Sequence, residues 1–344
     1  MSNLIDLKDK FFIAGSKGMV GSAIKRNLIK NGYGNKKIGG EILGPSREEL
    51  DLTDYTAVKY WFEKNNPSIV IIAAAKVGGI YANSNMPFDF ILENLKIQNN
   101  LIELAWKFGV KRLLFLGSSC IYPRNCPQPI SEKYLLSSPL ESTNEYYAIA
   151  KIAGIKLCES LRNQHQFDSF CLMPTNLYGP GDNYHPLNSH VIPSLIRKFH
   201  KGKSEGTKFV ECWGSGNPLR EFLFVDDLAS ACVFALEKWA PNKLDSQLAK
   251  KESSTCWMNV GCEFELSIKD VALKISQQIG YEGEIVWNSD MPDGTPRKKL
   301  DTTRINNLGW VAKTDLDKGL ELTIKEYKKI KNPAFVQSGL VWVM

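Results

Sequence analysis

Residues 11–21 read FFIAGSKGMVG: an apolar run leads into Gly15, Gly18 and Gly21, spaced three apart. FFIA has the apolar, aromatic-rich character of a buried strand, and the pattern beyond Gly18 predicts a helix over 19–31. Strand, glycine turn and helix in that order open a βαβ unit. Glycine at such a turn lets the backbone bend tightly and approach a pyrophosphate, which then rests on the helix N-terminus. A glycine triplet alone is a common turn; its place between the first strand and the first helix is what marks a dinucleotide loop. The expected cofactor contacts here are Gly15, Ser16, Lys17, Gly18, Met19, Val20 and Gly21.

The alternation continues outward from that loop. IVIIAAA (69–75) precedes a helix over 88–108, RLLFLGSS (112–119) precedes one over 145–165, and SFCLMPTNLYG (169–179) follows. Continuous apolar strands separated by helices predict a parallel sheet covered on both faces, a doubly wound α/β (Rossmann) fold. After residue 180 the texture turns polar and loop-like, yet REFLFVDDLASACVFALE (220–237) and CWMNVG (256–261) read as returns to the sheet domain. The expected division is a dinucleotide-binding domain of 1–180 plus 220–261 and a smaller, discontinuous α/β substrate domain of 181–219 plus 262–330. Residues 331–344 read as a tail and 238–255 as a solvated loop.

The net charge of +6, from 43 basic and 37 acidic residues, is small and dispersed. That argues against a nucleic-acid partner and suits a basic pocket for a phosphorylated small molecule. No apolar run approaches the roughly 18 residues of a membrane span, and MSNLIDLKDK lacks the apolar centre of a signal peptide. Eight cysteines without a CxxC pair read as reduced thiols, so the expected location is the cytoplasm. The four histidines, at 165, 185, 190 and 200, stand at no ligand spacing from cysteine or carboxylate, and no metal is expected.

The end of the second strand separates NAD from NADP. In EILGPSREELDL (41–52), Arg47, with Lys17 of the glycine loop, favours a 2′-phosphate and hence NADPH/NADP, although Glu48 and Glu49 pull the other way. Asp51 and Leu52 complete the contacts expected there. In NEYYAIAK (144–151), Tyr147 and Lys151 lie four apart and share one helix face, where an ammonium lowers the ordinary phenol pKa of about 10. Tyr146 competes for the same role but falls off that face.

The order glycine loop, Ser118, Tyr147, Lys151 resembles the extended short-chain dehydrogenase/reductases. AAAKVGGIYAN (73–83), FLGSSCIYP (115–123), NEYYAIAKIAGIKLCES (144–160), MPTNLYGPGDNYHPLNSHVIP (173–193), WGSGNPLREFLFVDD (213–227) and PDGTPRK (292–298) narrow the resemblance to the GDP-L-fucose synthase family, from about residue 11 to 325. It implies a reductase triad of Ser118, Tyr147 and Lys151 and an epimerisation acid/base pair of Cys120 and His190. Leu116, Gly117, Ser118, Ser119, Pro174, Thr175, Asn176 and Leu177, with Lys151 and His190, would face the nicotinamide. Lys198, Trp213, Arg220 and Asp293 would contact the nucleotide sugar, with Lys298 as a further contact to the diphosphate. Lys17 and Lys198 stand where relatives can carry arginine, and lysine gives up bidentate geometry.

The implied reaction is NADPH-dependent 3,5-epimerisation and 4-reduction of GDP-4-keto-6-deoxy-D-mannose to GDP-L-fucose, in a homodimer formed through the helices near 88–108 and 145–165. The alternatives are an enzyme acting on another GDP-6-deoxy-4-keto sugar such as a heptose, or only reducing it, and a non-catalytic nucleotide sensor. The residue chemistry suits the first. A 4-ketone acidifies the hydrogens on carbons 3 and 5, and inverting each needs a base on one face and an acid on the other. A thiol and an imidazole, at about 8.5 and 6.5 when unperturbed, fit that work at neutral pH. Cys126, Cys158, Cys171, Cys212, Cys232, Cys256 and Cys262 read as structural, His165 and His200 as surface residues, and His185 stays open.

Overall fold

A computed structural model describes residues 3–241, 255–291 and 293–330. The tail 331–344 and most of the expected loop 238–255 lie outside the described residues. Strands β1 (Lys10–Ala14), β2 (Glu41–Leu43), β3 (Ile69–Ile72), β4 (Arg112–Leu116), β5 (Ser169–Pro174), β6 (Asn176–Tyr178), β7 (Phe209–Trp213), β8 (Leu219–Phe224), β9 (Trp257–Val260), β10 (Glu265–Ser267), β11 (Glu284–Asn288) and β12 (Arg297–Lys298) follow one another along the chain. The helices are α1 (Met19–Lys30), α2 (Tyr55–Asn65), α3 (Ile80–Asn85), α4 (Pro87–Lys107), α5 (Glu145–His165), α6 (Val191–Glu205), α7 (Val225–Lys238), α8 (Ile268–Ile279), α9 (Thr303–Asn307) and α10 (Leu316–Tyr327).

The main sheet runs β2-β1-β3-β4-β5-β9, every neighbour parallel. Its strands are largely apolar because both faces are covered, with Lys10, Arg112 and Asn259 among the exceptions. Phe11 and Ile13 of β1, with Leu114 and Leu116 of β4, pack under α1 and α7. Phe12 and Ala14, with Leu113 and Phe115, face α2, α4 and α5. Each fully buried aromatic or aliphatic side chain there contributes roughly 1.5–3 kcal/mol of apolar burial. The strand order reverses between β1 and β3, and a doubly wound sheet binds its ligands in the crevice beyond the strand ends at such a point.

The smaller unit has a third core, built on α6, α8 and α10. Here the structure corrects one expectation. REFLF does not return to the main sheet: β8 pairs with β6, β10 and β12 in a second sheet, while α7 and β9 do return. The place beside β5 is taken by β9, so β8 finds its hydrogen bonds in segments remote in sequence. SFCLMPTNLYG likewise divides at Thr175 into β5 and β6, one strand for each sheet. Among the described residues no helix is long and apolar enough to cross a membrane. No group of three or more His, Cys, Asp or Glu among them is placed to hold a metal ion.

Candidate active site

The turn after β1 is shaped by two of its glycines. Gly15 has φ +87°, and a Cβ there would stand 2.8 Å from Ala74 N, so glycine lets β1 and the end of β3 approach. A Cβ on Gly21 would overlap the Gly15 carbonyl, so this glycine sets how closely α1 packs on the turn. Gly18 is the N-cap of α1 without a side-chain cap, and the first helical turn carries no acid. The N–H groups at that helix end are therefore free of side-chain acceptors, the arrangement a pyrophosphate requires.

Ser16 is buried and spends its hydroxyl on Gly44 O (2.9 Å), tying the turn to the end of β2. Lys17 and Arg47 are exposed on this edge. The acids beside them are engaged locally: Glu49 accepts from Ser46 N–H (2.6 Å), and Asp51 accepts from the N–H (2.9 Å) and hydroxyl (2.8 Å) of Thr53. Lys17 and Arg47 give this edge two cations, which fits a 2′-phosphate.

Beyond the strand ends lies a cleft of ≈ 350 Å³. Ser118, Cys120, Tyr147 and His190 line it, as do Lys198, Trp213, Arg220 and Asp293. Met19, Ser119 and the Pro174–Leu177 stretch also reach it, whereas Gly15–Gly18, Arg47, Asp51 and Leu52 are not among its lining residues. Thr175 and Asn176 direct their side chains to Glu221 O (3.3 and 2.8 Å), so they brace the wall.

β4 ends at Leu116, and the chain turns at Ser118, the N-cap of a 3₁₀ turn over Ser119–Ile121 whose hydroxyl accepts from Cys120 N–H at 3.3 Å. α5 places Tyr147 and Lys151 on one buried face. Lys151 donates to Leu116 O (2.8 Å) and lies 4.8 Å from the Phe115 ring centroid and 5.8 Å from that of Tyr147. Burial lowers its ammonium to about 7. The expected depression of the Tyr147 phenol is overturned: burial, then the neighbouring Cys120, raise it well above the usual range, against a smaller lowering by its Ser118 hydrogen bond.

Cys120 Sγ accepts from Asn144 Nδ2 (3.3 Å) and Lys298 Nζ (3.7 Å). Lys298, expected at the diphosphate, lines the cleft from β12 with its ammonium against the sulfur. His190 is the N-cap of α6, its ring open to the cleft yet walled by protein. Burial, then the Lys298 ammonium, push its imidazole down to about 4, so the ring is neutral at pH 7. Lys198 donates to Glu211 O (2.9 Å) with its ammonium 5.2 Å from the Trp213 ring centroid. Asp293 accepts from Ser215 N–H and Oγ, both at 2.7 Å, and Arg220 Nη2 reaches Asp293 O at 3.5 Å.

Some contributors were not singled out in the sequence. Glu141 accepts from Thr143 N–H (3.4 Å) in the turn that presents Asn144, and binds Arg124 and Thr295 at 3.3 Å each. Lys76, buried at 4% exposure, pairs with Glu93 and with Asp89 (3.4 Å), and Asn94 brackets its backbone beside the cleft wall at Val77–Tyr81. The run AAAKVGG carried that signal, since a lysine in a buried strand end must find acids. The remaining histidines are structural: His185 Nδ1 accepts from two backbone N–H groups at 3.2 Å, His165 packs on Trp106 and His200 on Tyr327.

The profile of the NAD dependent epimerase/dehydratase family matches residues 11–245. The chain is 49% identical over 327 residues to the probable GDP-L-fucose synthase 1 of Oryza sativa subsp. japonica, across 95% of this chain and 94% of that protein. It is 47% identical over 316 residues to the GDP-L-fucose synthase of Escherichia coli (strain K12), across 92% and 95% of the two chains. Its fold superposes on a GDP-mannoheptose C4 reductase from Campylobacter jejuni with NADP bound, at a TM-score of 0.81 and 35% identity, over 94% of this chain and 99% of that one.

Proposed function

The chain belongs to the NAD dependent epimerase/dehydratase family, and on that premise we propose that it converts GDP-4-keto-6-deoxy-D-mannose to GDP-L-fucose with NADPH. The observation that carries this is the meeting of Ser118, Cys120, Tyr147 and His190 on one cleft, in a chain so similar throughout to GDP-L-fucose synthases. An oxidoreductase alone needs no thiol and imidazole beside its serine and tyrosine.

The glycine turn, the N-terminus of α1, Lys17 and Arg47 hold the dinucleotide, with Lys151 and the 174–177 wall at its reactive end. NADPH, when bound, supplies the hydride that reduces carbon 4. Ser118 donates a hydrogen bond to the ketone oxygen and stabilises the enolate as carbon 3 or 5 loses its proton. His190, neutral at pH 7, takes a proton from one face, and Cys120 returns one to the other. Lys298 and Asn144 face the charge left on the sulfur. Tyr147, held protonated by burial, delivers the final proton to the carbon-4 oxygen. Lys198, Trp213 and Arg220 form the cationic and aromatic end for the GDP moiety.

The enzyme acts as a homodimer: α4 and α5 pack together and leave Phe88, Tyr146 and Ile149 exposed at 68, 46 and 39%. All eight cysteines are free, in keeping with a reducing cytoplasm. Incubation with NADPH and GDP-4-keto-6-deoxy-D-mannose tests the reading. NADPH oxidation and an L-fucose product by NMR are expected, and no oxidation at high enzyme concentration rejects it. A second reading, reduction of a GDP-heptose without epimerisation, is favoured by the likeness to the mannoheptose C4 reductase, and product stereochemistry separates the two.

A further inference from the structure

The sulfur–ammonium contact joins Cys120 to Lys298, 178 positions away, and a single buried amide holds both partners' segments. Asn259 lies within β9, fully buried and flanked by Trp257, Met258 and Val260. An amide there costs several kcal/mol unless every polar atom is matched, and here all are. Its Oδ1 accepts from Tyr122 Oη (2.6 Å), and its Nδ2 donates to Ile130 O (2.8 Å) and Asp301 O (3.1 Å). Its backbone N–H donates to Glu132 Oε1 (2.9 Å).

Tyr122 lies two residues beyond Cys120 and Asp301 three beyond Lys298, so Asn259 grips the chain just downstream of each. The Lys298 segment is pinned by further bonds: Ile130 N–H to Lys299 O (2.7 Å), Lys299 N–H to Gln128 Oε1 (2.9 Å) and Leu300 N–H to Glu221 Oε2 (3.0 Å). None of these contacts touches Tyr147 or Lys151, whose placement comes from α5 and Leu116 O. An apolar residue at 259 would serve the sheet; only an amide joins these three loops.

We propose that Asn259 is a positioning residue for epimerisation, holding the Cys120 turn through Tyr122 and the Lys298 strand through Ile130 and Asp301, and so fixing the ammonium against the sulfur. This rests on the reading of Cys120 as the proton donor. A loosened register at a reacting group moves it off the productive geometry, where displacements of about 1 Å cost up to about a hundredfold.

The test is Tyr122→Phe, which keeps the ring and removes the bond to Asn259, with Asn259→Ala beside it. Solvent deuterium exchange into GDP-4-keto-6-deoxy-D-mannose is followed with oxidised NADP present. Reduction is followed separately, as NADPH oxidation on the epimerised ketone. Tyr122→Phe is expected to slow exchange about tenfold while reduction and NADPH affinity hold, and Asn259→Ala to slow exchange further. Wild-type exchange in folded Tyr122→Phe, or equal losses of exchange and reduction, overturns the proposal alone. A Tyr122→Phe protein that does not fold overturns it too, by making the bond a folding element. A wild-type protein that exchanges nothing overturns the functional reading and this proposal with it.

Discussion

Ser118, Tyr147 and Lys151 are carried by the end of β4 and a helix packed along the main sheet, whereas Cys120, His190 and Lys298 come from a turn, a helix N-terminus and a two-residue strand of the smaller sheet. The reducing end is fixed by one domain's core, and its chemistry is set by burial, which raises Tyr147 and lowers Lys151. The epimerising end adds His190 and Lys298 of the smaller unit to Cys120 in the turn that Ser118 caps, and there a neighbouring charge joins burial in setting the titration of His190. On the proposed function, one cleft holds two machines with different vulnerabilities. Changes to the main-sheet helix should stop reduction, and changes to the docking segments should stop proton exchange.

Reciprocal substitutions give the largest expected effects. Tyr147→Phe should cut NADPH oxidation on the epimerised ketone about a thousandfold, within the range for losing a general acid, and leave deuterium exchange in place. Cys120→Ser should do the reverse, slowing exchange about a hundredfold. Parallel losses in both assays would break the division. A smaller effect is expected of Lys298→Met: exchange about tenfold slower, with KM for the GDP-sugar unchanged. A raised KM at an unchanged exchange rate would return Lys298 to the diphosphate.

The smallest effects lie in the pH profiles. Lys151, lowered to about 7 by burial, is charged below that pH and neutral above it, so kcat/KM for NADPH should decline as pH rises through about 7. His190, lowered to about 4, stays neutral and able to accept a proton well below neutrality, so exchange should hold its rate from pH 7 down to about pH 5. An acid limb at the ordinary histidine value near 6.5 would show that His190 is not held neutral.

The same contrast explains what could be read from the chain. Gly15, Gly18 and Gly21, the apolar strands, Tyr147 and Lys151 all announce themselves through local spacing, because each acts within one βαβ unit. Ser118 and Cys120 stood out as polar groups closing an apolar strand. Lys298 was named as a candidate, but its contact with Cys120 was not foreseen, since that depends on how β12 pairs with β8 and how Asn259 and Glu221 clamp the residues after it. REFLF was read as a main-sheet segment because its apolar pattern carries no mark of which sheet receives it. The direction of the Tyr147 shift was missed for a related reason: four-residue spacing shows that a lysine is near, while burial, the larger influence, belongs to the assembled fold.

The most direct measurement is the isotopic content of the sugar produced in D2O from GDP-4-keto-6-deoxy-D-mannose and NADPH, read by mass spectrometry and NMR. Both machines working in one cleft predict non-exchangeable deuterium at carbons 3 and 5 of an L-fucose product, with carbon 4 carrying hydrogen from NADPH. A reduced sugar with no deuterium at either carbon would contradict the account, leaving a reductase alone.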